Sequence, residues 1–272
     1  MNILVTGNYE TGSSALLDYL REFKTVKLPF NQDQYEHTIF YMPHGIIELE
    51  NILFSETGYI SVDAVIRNFL KMSENIYKYD YKFYGGYKKY IGKEFIKMTN
   101  DFVDEITTKF DARTIGKMKK MYFSIVKGCG QIVYAILKGY KIHNWGMAYR
   151  TDKGPCYVLK VNHDDFIKAK QKYIAKYLEL TKAETVNSLY DHLLLPMNVE
   201  HIKDFPKDSK VIIVERDPRD MYHIIKNVYI NNPKNGYEKP PFPIDNVKDY
   251  INSFLMFRRG QKTKYENKNI YY

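Results

Sequence analysis

The stretch that most constrains this chain is its first twenty residues, MNILVTGNYETGSSALLDYL. Asn2 to Thr6 is a short aliphatic and β-branched run closed by Gly7, the pattern of a strand buried on both faces of a parallel sheet. Ser13 and Ser14 lead into Ala15, Leu16, Leu17, Tyr19 and Leu20, whose spacing predicts a helix packed by one face on that sheet. Between the two elements, Gly7 and Gly12 let the backbone come close to a ligand. The helix start offers N–H groups without intrahelical partners and a partial positive charge, which together seat an anion such as phosphate.

The spacing of Gly7 and Gly12 is that of a nucleoside-triphosphate phosphate loop, but Ser13 stands where such a loop carries Lys. With no ammonium to bridge terminal phosphates and no evident Mg²⁺ carboxylate after a strand, ordinary ATP or GTP hydrolysis is disfavoured. The plain alternative is a strand-to-helix turn whose small residues serve packing.

Composition sets the outer bounds. A chain of 272 residues that is 44% hydrophobic can build the core of one large α/β domain or of a domain with a sizeable insertion. Its formal charge of +9 favours anionic ligands, although a Lys- and Tyr-rich bias along the whole chain accounts for the excess equally well. No helix-turn-helix, zinc-ligand spacing or aromatic RNA-binding signature is visible, so nucleic acid is not an expected partner. No apolar run reaches membrane-spanning length, and the N-terminus is too strand-like for a secretory signal. With only Cys129 and Cys156, no disulfide framework is implied and a reducing cytoplasm is the expected compartment.

Further along, Thr25 to Leu28 and Thr38 to Met42 are apolar enough for strands, with Pro29 and Pro43 as breaks. Ligands of open α/β sheets gather outside strand C-termini, which makes Glu36, His37 and His44 candidate site residues. From about 61 to 149 the periodicity becomes helical, with Val62, Val65, Ile66, Phe69 and Leu70 on one stripe, as in an all-helical insertion. Inside it, Ile76 to Lys93 alternates Tyr with Lys around Gly85 and Gly86. This is either an acceptor platform, where rings stack on sugars and Lys attracts carboxylates or sulfates, or a solvated amphipathic segment. Gly128 and Gly130 interrupt the run from Ile115 to Lys138. Trp145, His143 and Arg150 then precede Cys156 to His163, which reads as another buried strand. Asp164 and Asp165 would cap the next helix, Phe166 to Leu180.

Ser188 to Leu195 is strand-like and carries Asp191 and His192 near an edge. Lys210 to Glu215 is the clearest strand of the chain and runs into Arg216-Asp217-Pro218-Arg219-Asp220, where Asp217 and Pro218 signal a helix start. The two arginines can grip a phosphate with forked donors or pair with Asp217 and Asp220. A loop at Asn231 to Pro243, a helix at Asn246 to Arg259 and a last strand beginning at Asn269 complete the reading.

Two of these stretches resemble a known family. ETGSSALLDYL (Glu10 to Leu20) and VIIVERDPRDMYHIIK (Val211 to Lys226) are similar to the motifs of sulfotransferases that use 3′-phosphoadenosine 5′-phosphosulfate, of the bacterial carbohydrate type. The resemblance covers the two ends of the core and finds no motif in the helical middle. It implies a P-loop nucleotide-kinase-like fold, a three-layer α/β sandwich on a central parallel sheet, as one domain over 1–272. The 5′-phosphosulfate would be held from Asn8 through Tyr9, Glu10, Thr11, Gly12, Ser13 and Ser14 to Ala15, and the 3′-phosphate by Arg216. Sulfuryl transfer to a hydroxyl of a carbohydrate or other small acceptor would need a base and charge stabilisation but no metal.

The chain departs from that pattern in three places. Glu10 stands where the family has Lys or Arg to stabilise the leaving phosphate. Ile224 replaces a 3′-phosphate Ser, for which Tyr222 or His223 would substitute. The family usually continues past the strand at Tyr271, which points to a shortened member or a fragment. His192 matches best the family's base on a strand end, then His163, then Glu36, His37 or His44; a neutral His can accept the proton near neutral pH. A nucleotide-binding protein that has lost catalysis and a phosphoryl-transfer enzyme on the same core are the competing expectations.

Overall fold

A computed structural model describes residues 1–8, 10–31, 35–56, 58–80, 84–110, 156–183, 187–229, 246–258 and 267–272. Its centre is a parallel five-stranded sheet in the order β2-β5-β1-β6-β7. The strands are β1 (Asn2–Gly7), β2 (Val26–Lys27), β5 (Asn187–Asp191), β6 (Ser209–Val214) and β7 (Ile270–Tyr271). Strand β1 lies in the middle, with Val5 opposite Asp191 of β5 on one side and Gly7 opposite Val214 of β6 on the other. The chain leaves β1 toward β2 in one direction and later crosses from β5 to β6 on the far side, so the C-terminal ends of β5, β1 and β6 stand next to one another. Ligands of open parallel sheets collect at that edge.

The alternation of side chains along the central strands makes helices on both faces necessary. Val5 and Leu189 point to one side and bury against Leu17 of α1 (Ser13–Arg21). Leu4, Tyr190, Val211 and Ile213 point to the other and join the main core. That core is supplied by α2 (Ile46–Leu53), α3 (Gly58–Lys78), α5 (Lys93–Ile106), α6 (His163–Thr181) and the short α4 (Tyr87–Tyr90). The result is a mixed α/β fold with a parallel central sheet flanked by helices, compatible with three layers. A smaller cluster of Met221, Tyr222, Ile225, Tyr250 and Phe254 holds α7 (Pro218–Tyr229) against α8 (Val247–Arg258).

Helical periodicity is realised in α3, where Val62, Ile66, Phe69 and Ile76 are buried, and in α5, where Phe95, Met98, Phe102 and Ile106 are buried. The insertion is not all-helical, however. It contains β3 (Thr107–Phe110), which pairs antiparallel with β4 (Cys156–Leu159) in a separate two-stranded sheet. Segment 111–155, with Cys129, His143, Trp145 and Arg150, lies outside the described residues.

Two other expectations are corrected. Thr38 to Met42 is a compact turn: the Met42 N–H donates to the Thr38 carbonyl and the Gly45 N–H to the Met42 carbonyl. Its apolar run reflects Ile39 and Phe40 plugging the main core, which turn residues do as well as strand residues. The second correction concerns Cys156 to His163. The strand stops at Leu159, and Asn162, not Asp164 or Asp165, caps the next helix by accepting from the Asp165 N–H at 2.9 Å.

Candidate functional site

The loop after β1 is built by its own small residues. The Thr11 hydroxyl donates to the Asn8 carbonyl at 2.8 Å, and the Thr11 N–H reaches the same oxygen at 3.2 Å. Gly7 permits this fold-back, since a Cβ there would sit 2.1 Å from Thr11 Oγ1 and 3.1 Å from the Val214 carbonyl. Glu10 and Gly12 both have left-handed backbone, at φ 61° and 94°, a conformation that suits Gly and strains Glu. Gly12 is the N-cap of α1, and no side chain caps that helix. The N-terminal donors of α1 are therefore not used by a capping side chain. Ser13 is buried, while Gly12, Ser14 and Ala15 are exposed; Tyr9 lies outside the described residues.

Glu10 acts electrostatically on a residue of α8. Burial, and second the Glu10 carboxylate, push the Tyr250 hydroxyl up to about 12. The loop is thus electrostatically coupled to α8.

On one side of this loop, β5 ends in Asp191 and His192. The His192 N–H donates to the Val5 carbonyl at 3.0 Å, which extends the pairing with β1 by one residue. His192 then turns into left-handed backbone at φ 45°, and its Nδ1 lies 2.5 Å from Asp191 Oδ1. Glu36 comes to the same place by a single parallel bridge to Asp191, and its carboxylate accepts from the Tyr41 hydroxyl. Burial of His192 opposes charge on its ring, but Asp191, Glu36 and the Gly7 carbonyl together outweigh it and raise its pKa above the ordinary value. A carboxylate on Nδ1 favours the tautomer that carries its proton there and puts the lone pair on Nε2.

On the other side, β6 ends at Val214, and the exposed Arg216 follows two residues later. Arg216 has no ion-pair partner among the described residues, whereas Arg219 is spent. Its side chain donates from Nη2 to Asp217 Oδ2 at 2.5 Å and from Nε to Oδ1 at 3.0 Å. His223 is exposed on α7, with its neighbour Tyr222 beside its ring.

The structure therefore brings together the loop, Glu36, His192 and the strand end that leads to Arg216. It sets the other candidates apart. His44 is a half-exposed turn residue whose N–H donates to Glu48 at 2.6 Å and whose ring lies 3.9 Å from the same carboxylate. His163 is no strand end: it is the first residue of α6, with Nε2 3.0 Å from Glu50. His37 is fully buried, Nδ1 2.6 Å from the Tyr177 hydroxyl, and desolvation pushes its pKa down to about 3. It is a neutral core group.

Sequence reasoning missed a second polar constellation. Lys170, 1% exposed, directs its ammonium at Glu50 Oε2 (2.5 Å), Asp204 Oδ2 (2.6 Å) and His201 Nδ1 (2.9 Å). Glu50, His201 and Asp204 offer ligand atoms close enough together for a metal ion. The Lys170 ammonium, though, already sits where such a cation would. The group reads as a buried ion cluster tying α2, α6 and the 3₁₀ segment Pro196–Asp204 together. Its only advance signal is that Lys170 falls on the apolar stripe of Phe166, Tyr173 and Tyr177.

Among the described residues, no helix is long and apolar enough to cross a membrane. No protein-family model matches the chain, and neither a curated protein nor a solved structure shows significant similarity to it.

Proposed function

We propose that this protein is a sulfotransferase on a P-loop nucleotide-kinase-like core, moving a sulfuryl group from 3′-phosphoadenosine 5′-phosphosulfate to a hydroxyl of a carbohydrate or other small acceptor in the cytoplasm. One observation carries the reading. Strand register sets an uncapped helix N-terminus, an Asp–His pair and Arg216, which has no ion-pair partner among the described residues, at or next to the adjoining ends of β1, β5 and β6.

In this mechanism the backbone from Asn8 to Ala15 binds the 5′-phosphosulfate, the donors at the start of α1 facing its negative charge. Arg216 forks onto the 3′-phosphate. The acceptor hydroxyl gives its proton to His192 Nε2 as its oxygen bonds to sulfur. The bond from sulfur to the 5′-phosphate oxygen breaks, leaving that oxygen anionic beside the loop amides. Asp191 stabilises the imidazolium that forms, and Glu36 adds negative charge on the same side. No metal is needed. With Glu10 in place of Lys or Arg, the leaving phosphate depends on backbone donors, which predicts slow turnover or, in the limit, a cofactor-binding protein without catalysis.

The experiment that tests this is transfer of labelled sulfate from the cofactor to carbohydrate acceptors. Transfer lost in His192→Ala, with binding of the desulfated cofactor retained, supports the reading; no transfer by the wild type overturns it, and transfer that survives the substitution overturns His192 as the base. Asp191 favours a second reading, phosphoryl transfer, because it is a carboxylate at the end of a strand beside β1, where a Mg²⁺-ordering group belongs. Turnover of Mg-ATP that depends on Asp191 but not on Arg216 would support that alternative.

A further inference from the structure

None of the residues just described lines a further cavity found among the described residues. That cavity, of about 570 Å³, opens among α3, α5 and β4, within the size range of small-molecule sites. We propose that it binds an acidic saccharide of one or two sugar units.

Most polar groups of the cavity are already engaged. On its floor, Ser73 and Thr99 are each 1% exposed, and their hydroxyls donate to the Phe69 and Phe95 carbonyls. On its rim, Glu74 and Lys78 pair at 2.6 Å. At one end, Asp63 accepts from Arg67 Nε at 2.8 Å and from the Tyr157 N–H at 3.0 Å. That double contact fixes the guanidinium 5.6 Å from the centre of the Tyr157 ring and makes this end a rigid wall.

What is left over is specific. Lys71, on the α3 face between the two ion pairs, has no ion-pair partner among the described residues. Asn100, across the cavity on α5, makes no side-chain hydrogen bond among them. Tyr77 supplies a ring face, with Leu70 and Ile96 as apolar floor; the Tyr157 ring is already engaged by Arg67 and by Lys109, whose Nζ lies 5.9 Å from its centre. An ammonium calls for a carboxylate or sulfate, a carboxamide for hydroxyl groups, and aromatic faces for the C–H face of a sugar ring. An acidic sugar combines all three; a nucleotide would demand more cationic charge than one unpaired Lys provides. Tyr77 and Lys78 also open the Tyr/Lys-alternating stretch. Two later tyrosines of that stretch go elsewhere: Tyr87 is fully buried, and Tyr90 stacks on Phe30 with ring centres 4.9 Å apart.

The inference stands apart from sulfuryl transfer, because it is tested by binding alone, without cofactor. Cellobiouronic acid and cellobiose, which differ by one carboxylate, would be titrated into the full chain by calorimetry and saturation-transfer NMR. The expected result is binding of the acid at least about tenfold tighter than the neutral sugar, the scale of one charge-assisted contact. That preference should vanish in Lys71→Met, and affinity should drop several-fold in Asn100→Leu, each checked for native circular dichroism. Failure of both sugars to bind, equal affinity for the two, or a preference unchanged in Lys71→Met would overturn the proposal. Should Lys71→Met not fold, Lys71→Gln provides the same comparison.

Discussion

Asp191 Oδ1 lies 2.5 Å from Nδ1 of His192, so the carboxylate at the end of β5 and the imidazole that follows it act as a unit. Asp191→Asn keeps the shape and loses the charge. If His192 is the base, sulfate transfer should fall by about 10² to 10⁴ with cofactor affinity unchanged. The acid limb of the pH–rate profile should move with it. The charged ring is favoured in the wild type, so activity falls as pH drops through a value above 6.5. Without Asp191, burial dominates and the limb shifts to lower pH.

The same pair has a thermodynamic signature. A histidine whose pKa is raised by folding contributes stability that is complete below its unfolded value near 6.5 and is lost as pH rises through the folded value. The urea midpoint of the wild type, measured against that of His192→Asn, should therefore show an advantage at pH 6 that shrinks by pH 8. A constant difference would contradict the pairing.

His37 behaves in the opposite sense. Its pKa of about 3 means that only the unfolded chain binds this proton between pH 6.5 and 3. Stability should decline by about 1.4 kcal/mol per pH unit across that window. His37→Gln, which keeps a partner for the Tyr177 hydroxyl, should flatten that slope in urea titrations while lowering stability at pH 7.

The Lys170 cluster gives a test of whether an ammonium fills a cation seat. Lys170→Ala leaves Glu50 and Asp204 buried without compensation and should cost about 3–5 kcal/mol. Zn²⁺ should raise the melting temperature of this variant through Glu50, His201 and Asp204, and leave that of the wild type unchanged. Adding Glu50→Gln and Asp204→Asn to Lys170→Ala should restore part of the loss, because it removes the unpaired charges.

Gly7 tests the loop. An added Cβ meets the Thr11 hydroxyl at 2.1 Å, so Gly7→Ala should push the loop from its seat and weaken binding of the desulfated cofactor at least about tenfold. The double variant Gly7→Ala with Thr11→Ala removes the oxygen that clashes and should recover part of the affinity.

Much of the sheet was legible because its strands are local and strongly patterned. The runs at Asn2 to Thr6 and Lys210 to Glu215 are apolar over consecutive positions, as only a doubly covered strand needs to be. The Ile39 and Phe40 run misled for a related reason, since burial alone does not say whether the backbone is extended. His192 ranked ahead of His163 only through the family pattern, since each stands near the end of an apolar run. What separates them is nonlocal: His192 continues β1 pairing through Val5, and His163 opens a helix beside Glu50. Glu36 could be named but not placed, because its bridge to Asp191 spans more than 150 positions of chain. The Lys170 cluster was illegible, as its four members come from three separate segments.

The central claim is that the loop after β1 and Arg216 together hold a nucleotide with a phosphate at each end. The most direct test is calorimetric titration of 3′-phosphoadenosine 5′-phosphate into the wild type and Arg216→Ala, with 5′-AMP as the ligand that lacks the 3′-phosphate. The account predicts that the bisphosphate binds the wild type without added metal, that Arg216→Ala weakens it by about 10- to 100-fold, and that 5′-AMP binds both proteins alike. Equal binding of the bisphosphate to both proteins, or no binding to either, would contradict it.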